Sequence, residues 1–373
     1  MKIKRLLFWA IFSVILICLI VIVFYFMLRL LWLPTPLVMI APAISGPVHV
    51  EGTDVFDNSG SKVQLRGLAV VPPIFMRDEN VNYTEYIEKV KEWGANVIRF
   101  PVYYCVYQRE NVDVWEEIDH VVELAKQNSL AIILDFHAIG YPPEETYHTE
   151  ITGERIENLF YYTNEDLIYF WNEASKRYSD ENTIIAYEIF NEVKWSEYDN
   201  DEVAWLKWKA FVEENLITPI RQNDPHKLVL ISGLHYAFDL TWAAIYPIED
   251  NNVAYKRTSY FETAPEIVEN IPIIFAETDE VCLRHLESQG IGWVAHWFSP
   301  KWSPNLLVSY YKPSLAGQTV LSFLRGEGAP ISAFELMALC LVIACLSLFP
   351  VRHIAVSQEK RPGKKRSGGA AEI

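Results

Sequence analysis

IIAYEIFNE, residues 184–192, reads as a buried strand whose apolar run stops on an amide and a carboxylate. Asn191 and Glu192 are expensive to bury, so a chain that closes a core strand with them has a reason to place them there. The same theme recurs on both sides of this stretch. Short apolar, β-branched runs alternate with amphipathic helical patterns, which is the signature of parallel β/α units.

The spacing predicts eight strands, at Val63–Val70, Ala95–Val102, Ala131–His137, Ile184–Glu192, Leu228–Gly233, Val253–Tyr260, Ile273–Thr278 and Gly292–Trp297. Segments such as TEYIEKVKEWG, DVWEEIDHVVELAKQN, EDLIYFWNEASKRY and DEVAWLKWKAFVEENLI lie between them with helical period. A β-hairpin, VHVEGTDVFDNSGSKVQLRG, precedes the first unit, with Asn58-Ser59-Gly60 as its expected turn. Eight such units over residues 50–328 match an α/β protein of the (β/α)8 TIM-barrel type. The alternative is an open doubly wound sheet. No GxGxxG follows the first strand and no Walker loop occurs, which removes the nucleotide-binding versions of that alternative.

In a barrel of this kind the chemistry sits at the C-terminal ends of the strands. Those ends carry Arg99 in NVIRFPV, His137 in ILDFHA, Asn191-Glu192 in YEIFNE and His235-Tyr236 in ISGLHY. Tyr260 in YKRTSY, Glu277 in IIFAET and Trp297 in WVAHW follow. Taken singly, Arg99 reads as an ion-pair partner, His137 as a hydrogen-bonded core histidine and Trp297 as packing. Glu192 and Glu277 resist that treatment, because a carboxylate closing an apolar strand costs several kcal/mol unless it is paired. Arg99 can account for one of them, but not for both.

Two carboxylates on the fourth and seventh strands face each other across the barrel mouth. That pair suits glycoside hydrolysis, one acid protonating the leaving oxygen while the other attacks the anomeric carbon. Asn191 can then hydrogen-bond the sugar 2-OH, and Trp297 offers a face on which a pyranose ring can stack. Trp195, Tyr141 and Tyr147 read equally as subsite platforms or as packed loop residues.

With these residues in place, the chain resembles glycoside hydrolase family 5, the cellulase family of retaining barrel glycosidases. The hairpin ending LRG, then GANVIRFPV, LAIILDFH, IIAYEIFNE, IPIIFAET and Trp297 carry the resemblance, in order, over roughly residues 50–328. It implies Glu192 as acid/base and Glu277 as nucleophile. It also implies Arg99 beneath the nucleophile, keeping it ionised, and Tyr260 hydrogen-bonded to it. His137, Asn191 and Trp297 would line the subsite of the cleaved sugar. One departure stands out. Where the family carries His-x-Tyr on the sixth strand, this chain has Thr258-Ser259-Tyr260, and His235 is the candidate to replace the lost histidine.

The two ends suggest a membrane. Residues 1–33 are almost unbroken apolar sequence after MKIKR, too long for a signal-peptide core and about the length of a spanning helix. Ala41-Pro42-Ala43 resembles a cleavage site but lies far beyond that run. A linker, 34–49, leads to the barrel at 50–328. Residues 331–351 form a second apolar segment, and 352–373 a basic tail containing KRPGKKR. A buried core helix or a removable sorting tail is the alternative for this segment. Basic residues before the first segment and after the second place both termini in the cytoplasm and the barrel outside the cell membrane. The chain carries −16 overall, residues 1–33 carry +4 and residues 331–373 carry +3, which leaves −23 on the middle segment. Such an acidic domain repels nucleic acid.

Of the five cysteines, only Cys105 and Cys282 fall between the apolar segments, too few for a disulfide scaffold. No CxxC or HxxxH spacing points to a metal, and no cofactor is expected. Asn82-Tyr83-Thr84 is an N-glycosylation sequon. The expected partner is a carbohydrate: cellulose, another β-glucan, a β-mannan or a glycoconjugate. An envelope-remodelling transglycosylase and a catalytically silent carbohydrate-binding barrel are the competing readings.

Overall fold

The computed structural model describes residues 42–327, apart from 148–149, 153–154, 158 and 266–268. The apolar segments expected at 1–33 and 331–351 and the tail at 352–373 lie outside the described residues. Among the described residues no helix is long and apolar enough to cross a membrane.

Eight parallel strands close into a barrel. They are β1 (Arg66–Ala69), β2 (Val97–Val102), β3 (Ala131–Phe136), β4 (Ile184–Glu188), β5 (Leu228–Ser232), β6 (Val253–Ser259), β7 (Ile273–Thr278) and β8 (Gly292–Ala295). Closure comes from β8 beside β1, with Trp293 opposite Arg66 and Ala295 opposite Leu68. Nearly every barrel-strand residue is buried, because helices cover the outside and side chains fill the inside. Gly67 is required by close approach: a Cβ there would lie 2.6 Å from Val97 Cγ1 and 2.7 Å from its carbonyl oxygen.

Helices follow the strands as the periodicity predicts: α1 (Tyr83–Trp93), α2 (Val114–Gln127), α3 (Asn164–Tyr178), α4 (Asp201–Val212), α5 (Thr241–Ile245), α6 (Leu283–Gln289) and α7 (Leu315–Leu324). Their starts are fixed by side chains that accept the first free backbone N–H groups. Asn82 caps α1, Asp113 caps α2, Asn200 caps α4, and Thr163 forms a capping box with Asp166 on α3. The sequon asparagine thus has a structural task on an exposed helix end. Cys105 Sγ donates to the Leu159 carbonyl at 3.1 Å and Cys282 Sγ lies 2.6 Å from Thr278 Oγ1, and the two are not joined to each other.

The hairpin differs from its expected form. Val48–Glu51 pairs antiparallel with Asp54–Asp57, so the chain reverses at Gly52-Thr53, where Gly52 adopts φ +64°. Asn58-Ser59-Gly60 makes a second turn, organised by the Asp57 carboxylate, which accepts from the Ser59 and Ser61 amides at 2.9 and 3.1 Å. The hairpin caps the N-terminal end of the barrel: Asn252, just before β6, accepts from the Val50 amide and donates to the Val48 carbonyl, both at 3.0 Å. Val48, Val55 and Leu65 join Val97, Ile133, Leu230, Ile274 and Val294 in one apolar cluster that fills this end. The opposite end is left for polar side chains.

Candidate active site

The expected strand Ile184–Glu192 is interrupted. Ladder pairing of β4 ends at Glu188, and Glu192–Val193 forms a separate short strand beside Ile139–Tyr141. The break happens because other groups take over the backbone. The Asn191 amide donates to the Phe136 carbonyl at 3.1 Å, and Ser232 Oγ donates to the Asn191 carbonyl at 2.7 Å. The chain therefore swings across the barrel mouth with Asn191 buried and Glu192 half-buried.

Beneath this crossing lies a layer of buried charge. Arg99 is fully buried on β2, and its guanidinium grips both Glu188 oxygens at 2.7 Å. The same group donates to Asn191 Oδ1 at 2.7 Å and pairs with Asp135 Oδ2 at 2.9 Å. The guanidinium is thus bonded to Glu188, Asp135 and Asn191, and it acts on Glu277 through its charge and not by direct contact. The cation touching Glu277 is Lys256 on β6, with Nζ 2.7 Å from Oε2. His296 Nε2 lies 3.2 Å from the other oxygen, Oε1.

These contacts set the protonation of the two carboxyls apart. Burial pushes Glu277 up, but Lys256, with His296 and Arg99 around it, outweighs burial and holds it well below the usual carboxylate range. Glu192 goes the other way. Burial, reinforced by the charge on Glu277, raises it to about 8. At neutral pH one carboxyl is ionised and its neighbour carries a proton.

The histidines are both neutral. Burial and the charge on Arg99 lower His137 to about 3, and its Nδ1 sits 2.6 Å from Asp135 Oδ2. Burial likewise holds His296 well below its ordinary value. Its Nδ1 lies 3.2 Å from the Tyr260 hydroxyl and its Nε2 3.2 Å from Glu277 Oε1, and Tyr260 also hydrogen-bonds Glu277. Burial and Glu277 keep the Tyr260 hydroxyl protonated. Trp297 joins the same wall, its ring centre 4.3 Å from His296, 4.8 Å from Trp302 and 5.8 Å from His137.

The structure thus gathers Arg99, His137, Asn191, Glu192, Tyr260, Glu277 and Trp297 at one end of the barrel. Tyr236 stands beside Trp195, their ring centres 5.6 Å apart, and burial raises its hydroxyl. His235 does not replace the histidine missing from the sixth strand. It and Tyr236 sit in left-handed backbone at φ 54° and 61°, and His235 Nε2 pairs with Asp201 Oδ1 at 2.9 Å on an exposed surface. Asp201, His235 and Asp239 bring ligand-type atoms within 4.8 Å of one another, with no further feature there that points to an ion. Tyr141 is packed, its hydroxyl donating to the Ala204 carbonyl at 2.7 Å. Trp195 is half-exposed, with Lys194 Nζ 5.1 Å from its ring centre and the His235 ring stacked beside it. The side chain of Tyr147 lies outside the described residues.

Four participants escaped the sequence reading: Asp135, Glu188, Lys256 and His296. Asp135 had a signal, since it stands two residues before His137 and therefore on the same face of the predicted strand Ala131–His137. Lys256 stands in the middle of VAYKRTS, a strand whose burial throughout is seen only in the structure.

Comparison with known proteins bears on this constellation. The sequence profile of Cellulase (glycosyl hydrolase family 5) matches residues 56–267. Endoglucanase A of Butyrivibrio fibrisolvens is 28% identical over 232 residues, covering 58% of this chain and 46% of that protein. Cellodextrinase A of Ruminococcus flavefaciens is 26% identical over 160 residues, covering 40% and 42%. The chain spans less than half the length of these relatives. Among solved structures, a β-glucanase of Saccharophagus degradans in complex with cellotetraose superposes with a TM-score of 0.67 at 22% identity, covering 76% of this chain and 94% of that one. The catalytic domain of a Thermobifida fusca endoglucanase gives 0.59 at 20% identity, covering 75% and 97%. These superpositions speak to the fold alone.

Proposed function

The chain belongs to the cellulase family, glycosyl hydrolase family 5, and from that membership we propose that it is a retaining β-glycosidase acting on β-glucan. The observation that carries the reading is the opposite protonation of Glu192 and Glu277 at one barrel mouth. Glu192 has a proton to give to the glycosidic oxygen. Glu277, held ionised and far below the usual range, is a poor base for water but a usable nucleophile and a good leaving group. That favours a covalent glycosyl-enzyme over direct attack by water.

In the first step Glu277 Oε1 bonds to the anomeric carbon while the glycosidic C–O bond breaks, and the proton of Glu192 goes to the leaving oxygen. In the second, Glu192 takes a proton from water, the water oxygen bonds to the anomeric carbon, and the ester bond to Glu277 breaks. Asn191 Oδ1 is already occupied by Arg99 and Lys256, at 2.7 and 2.9 Å. The amide is thereby oriented with its nitrogen left to donate to the sugar 2-OH. Asp135 fixes His137 through Nδ1, leaving Nε2 for a sugar hydroxyl.

The test is product analysis on cello-oligosaccharides, with manno-oligosaccharides in parallel. The new reducing end should first appear in the β configuration, and first-formed α product would sink the mechanism. Cleavage of the mannan series alone would move the substrate but keep the chemistry. The pH profile gives a second check. Since Glu192 must be protonated to act, kcat/KM should fall about tenfold per pH unit above about 8. Glu192→Gln should remove that alkaline limb. An unchanged limb in this variant would assign it to another group.

We further propose that the apolar segments at 1–33 and 331–351 tether the barrel to the outer face of the cell membrane. The basic residues flanking both segments support this. Protease added to intact cells should remove the barrel while sparing tags on both termini, and a C-terminal tag reached from outside would refute the second crossing.

A further inference from the structure

We propose that Lys256, not Arg99, is the working counter-ion of the nucleophile in this chain: it holds Glu277 Oε2 as a spectator while Oε1 attacks, and it draws the negative charge back when the glycosyl-enzyme is hydrolysed. The proposal rests on the reading of Glu277 as nucleophile. Lys256 is fully buried, and an ammonium there needs partners for all three of its donors. It has them: Glu277 Oε2 at 2.7 Å, the Asn191 carbonyl at 2.8 Å and Asn191 Oδ1 at 2.9 Å. Glu188 Oε1 stands further off at 3.7 Å. No other cation makes so short a contact with Glu277 among the described residues.

The placement follows from the strands. In the pairing of β6 with β7, Thr258 lies opposite Glu277. Threonine is too short to serve there, and its hydroxyl oxygen has no hydrogen-bond partner among the described residues. Lys256, two residues earlier, has a four-carbon stem that reaches the carboxylate from below. Arg99 is meanwhile committed to Glu188 and Asp135.

A fixed cation beside the nucleophile acts unequally on the two steps. In the first, Glu277 gives its charge up to the new C–O bond, and Lys256 opposes that loss. In the second, the ester oxygen leaves the anomeric carbon with the electron pair, and charge reappears on the carboxylate facing Lys256. Lys256 therefore speeds the second step at the expense of the first. It is a positioning residue for Glu277, and through Asn191 it also orients the amide.

The experiment uses Lys256→Met, Lys256→Gln and Lys256→Arg in the full chain, with 2,4-dinitrophenyl β-cellobioside as substrate. This leaving group needs no protonation, so slow hydrolysis of the glycosyl-enzyme is exposed. In the Met and Gln variants kcat should fall about 10- to 100-fold and KM should fall with it, a burst of dinitrophenol should appear, and the acidic limb of kcat/KM should move up by at least about one pH unit. Lys256→Arg should restore most of the limb. Gln keeps a donor for Asn191 and is the variant to read should Met fail to fold. If the folded neutral variants keep the wild-type acidic limb and show no burst, Lys256 is structural and the proposal falls. Should Lys256→Arg lose the limb as the neutral variants do, charge is not what matters, and it falls equally. A fluorosugar glycoside that labels a residue other than Glu277 would instead overturn the mechanism beneath it, which keeps the two failures apart.

Discussion

Glu277→Ala is expected to lose on the order of 10⁴–10⁶-fold in turnover on every glycoside, because the proposed mechanism forms its covalent bond on that carboxylate. Azide supplied in solution should restore part of the activity and yield the inverted α-glycosyl azide, since it enters through the space the carboxylate vacates. Glu192→Ala should behave differently. Loss of the acid/base costs about 10²–10⁴-fold on ordinary substrates. On an aryl glycoside with a good leaving group the first step should persist and the glycosyl-enzyme should accumulate. Azide should then give the β-glycosyl azide, attacking the intermediate where water would have been activated. The contrast in product configuration is the measurement that matters, because misfolding lowers activity in either variant but cannot change stereochemistry. Identical azide products from both variants would dissolve the assignment.

The second large effect is on stability. Arg99 is wholly buried and bonded to Glu188, Asp135 and Asn191. Arg99→Met leaves carboxylates without their cation in a site water does not reach. Removing one partner of a buried pair typically costs about 3–5 kcal/mol. At roughly 2–4 °C per kcal/mol for a domain of this class, calorimetry should show the melting temperature falling by roughly 6–20 °C. Adding Glu188→Leu should recover part of the loss, because the stranded charge goes with its partner. A single variant melting with the wild type would mean that the pair does not stabilise the barrel.

The barrel was legible because its strands are nearly uninterrupted apolar runs and its helices begin at side chains that cap them. Periodicity and capping are local, so a linear reading reaches them. Strand ends were less so. The strand predicted through Glu192 stops at Glu188 because Phe136 and Ser232, distant in sequence, claim the backbone of the next residues. The site divides along the same line. Residues that close a strand were visible as polar exceptions to an apolar run. Lys256 was not, because a lysine inside a strand looks outward-facing until its partners are known, and those stand 21 and 65 positions away. His296 was hidden by Trp297, two adjacent rings of which either could have faced the cleft. His235 misled because three consecutive left-handed residues, His235 to Ala237, re-aim the chain in a way that no residue type there announces.

The distribution of charge around the barrel also bears on how the molecule is assembled. Arg99, Asp135 and Glu188 come from β2, β3 and β4, whereas Lys256 and Glu277 come from β6 and β7 and His296 directly follows β8. Each half of the barrel therefore brings a cation together with carboxylates that face it, two for Arg99 and one for Lys256, from strands that are neighbours or next-but-one neighbours. Each half-barrel carries a counter-ion for its own cation, and the first holds one carboxylate in excess, Glu188 standing 3.7 Å from Lys256 of the second. Asn191 is shared outright, receiving Arg99 from one side and Lys256 from the other. The last residue but one of the quoted stretch is thus the seam at which the two halves are joined.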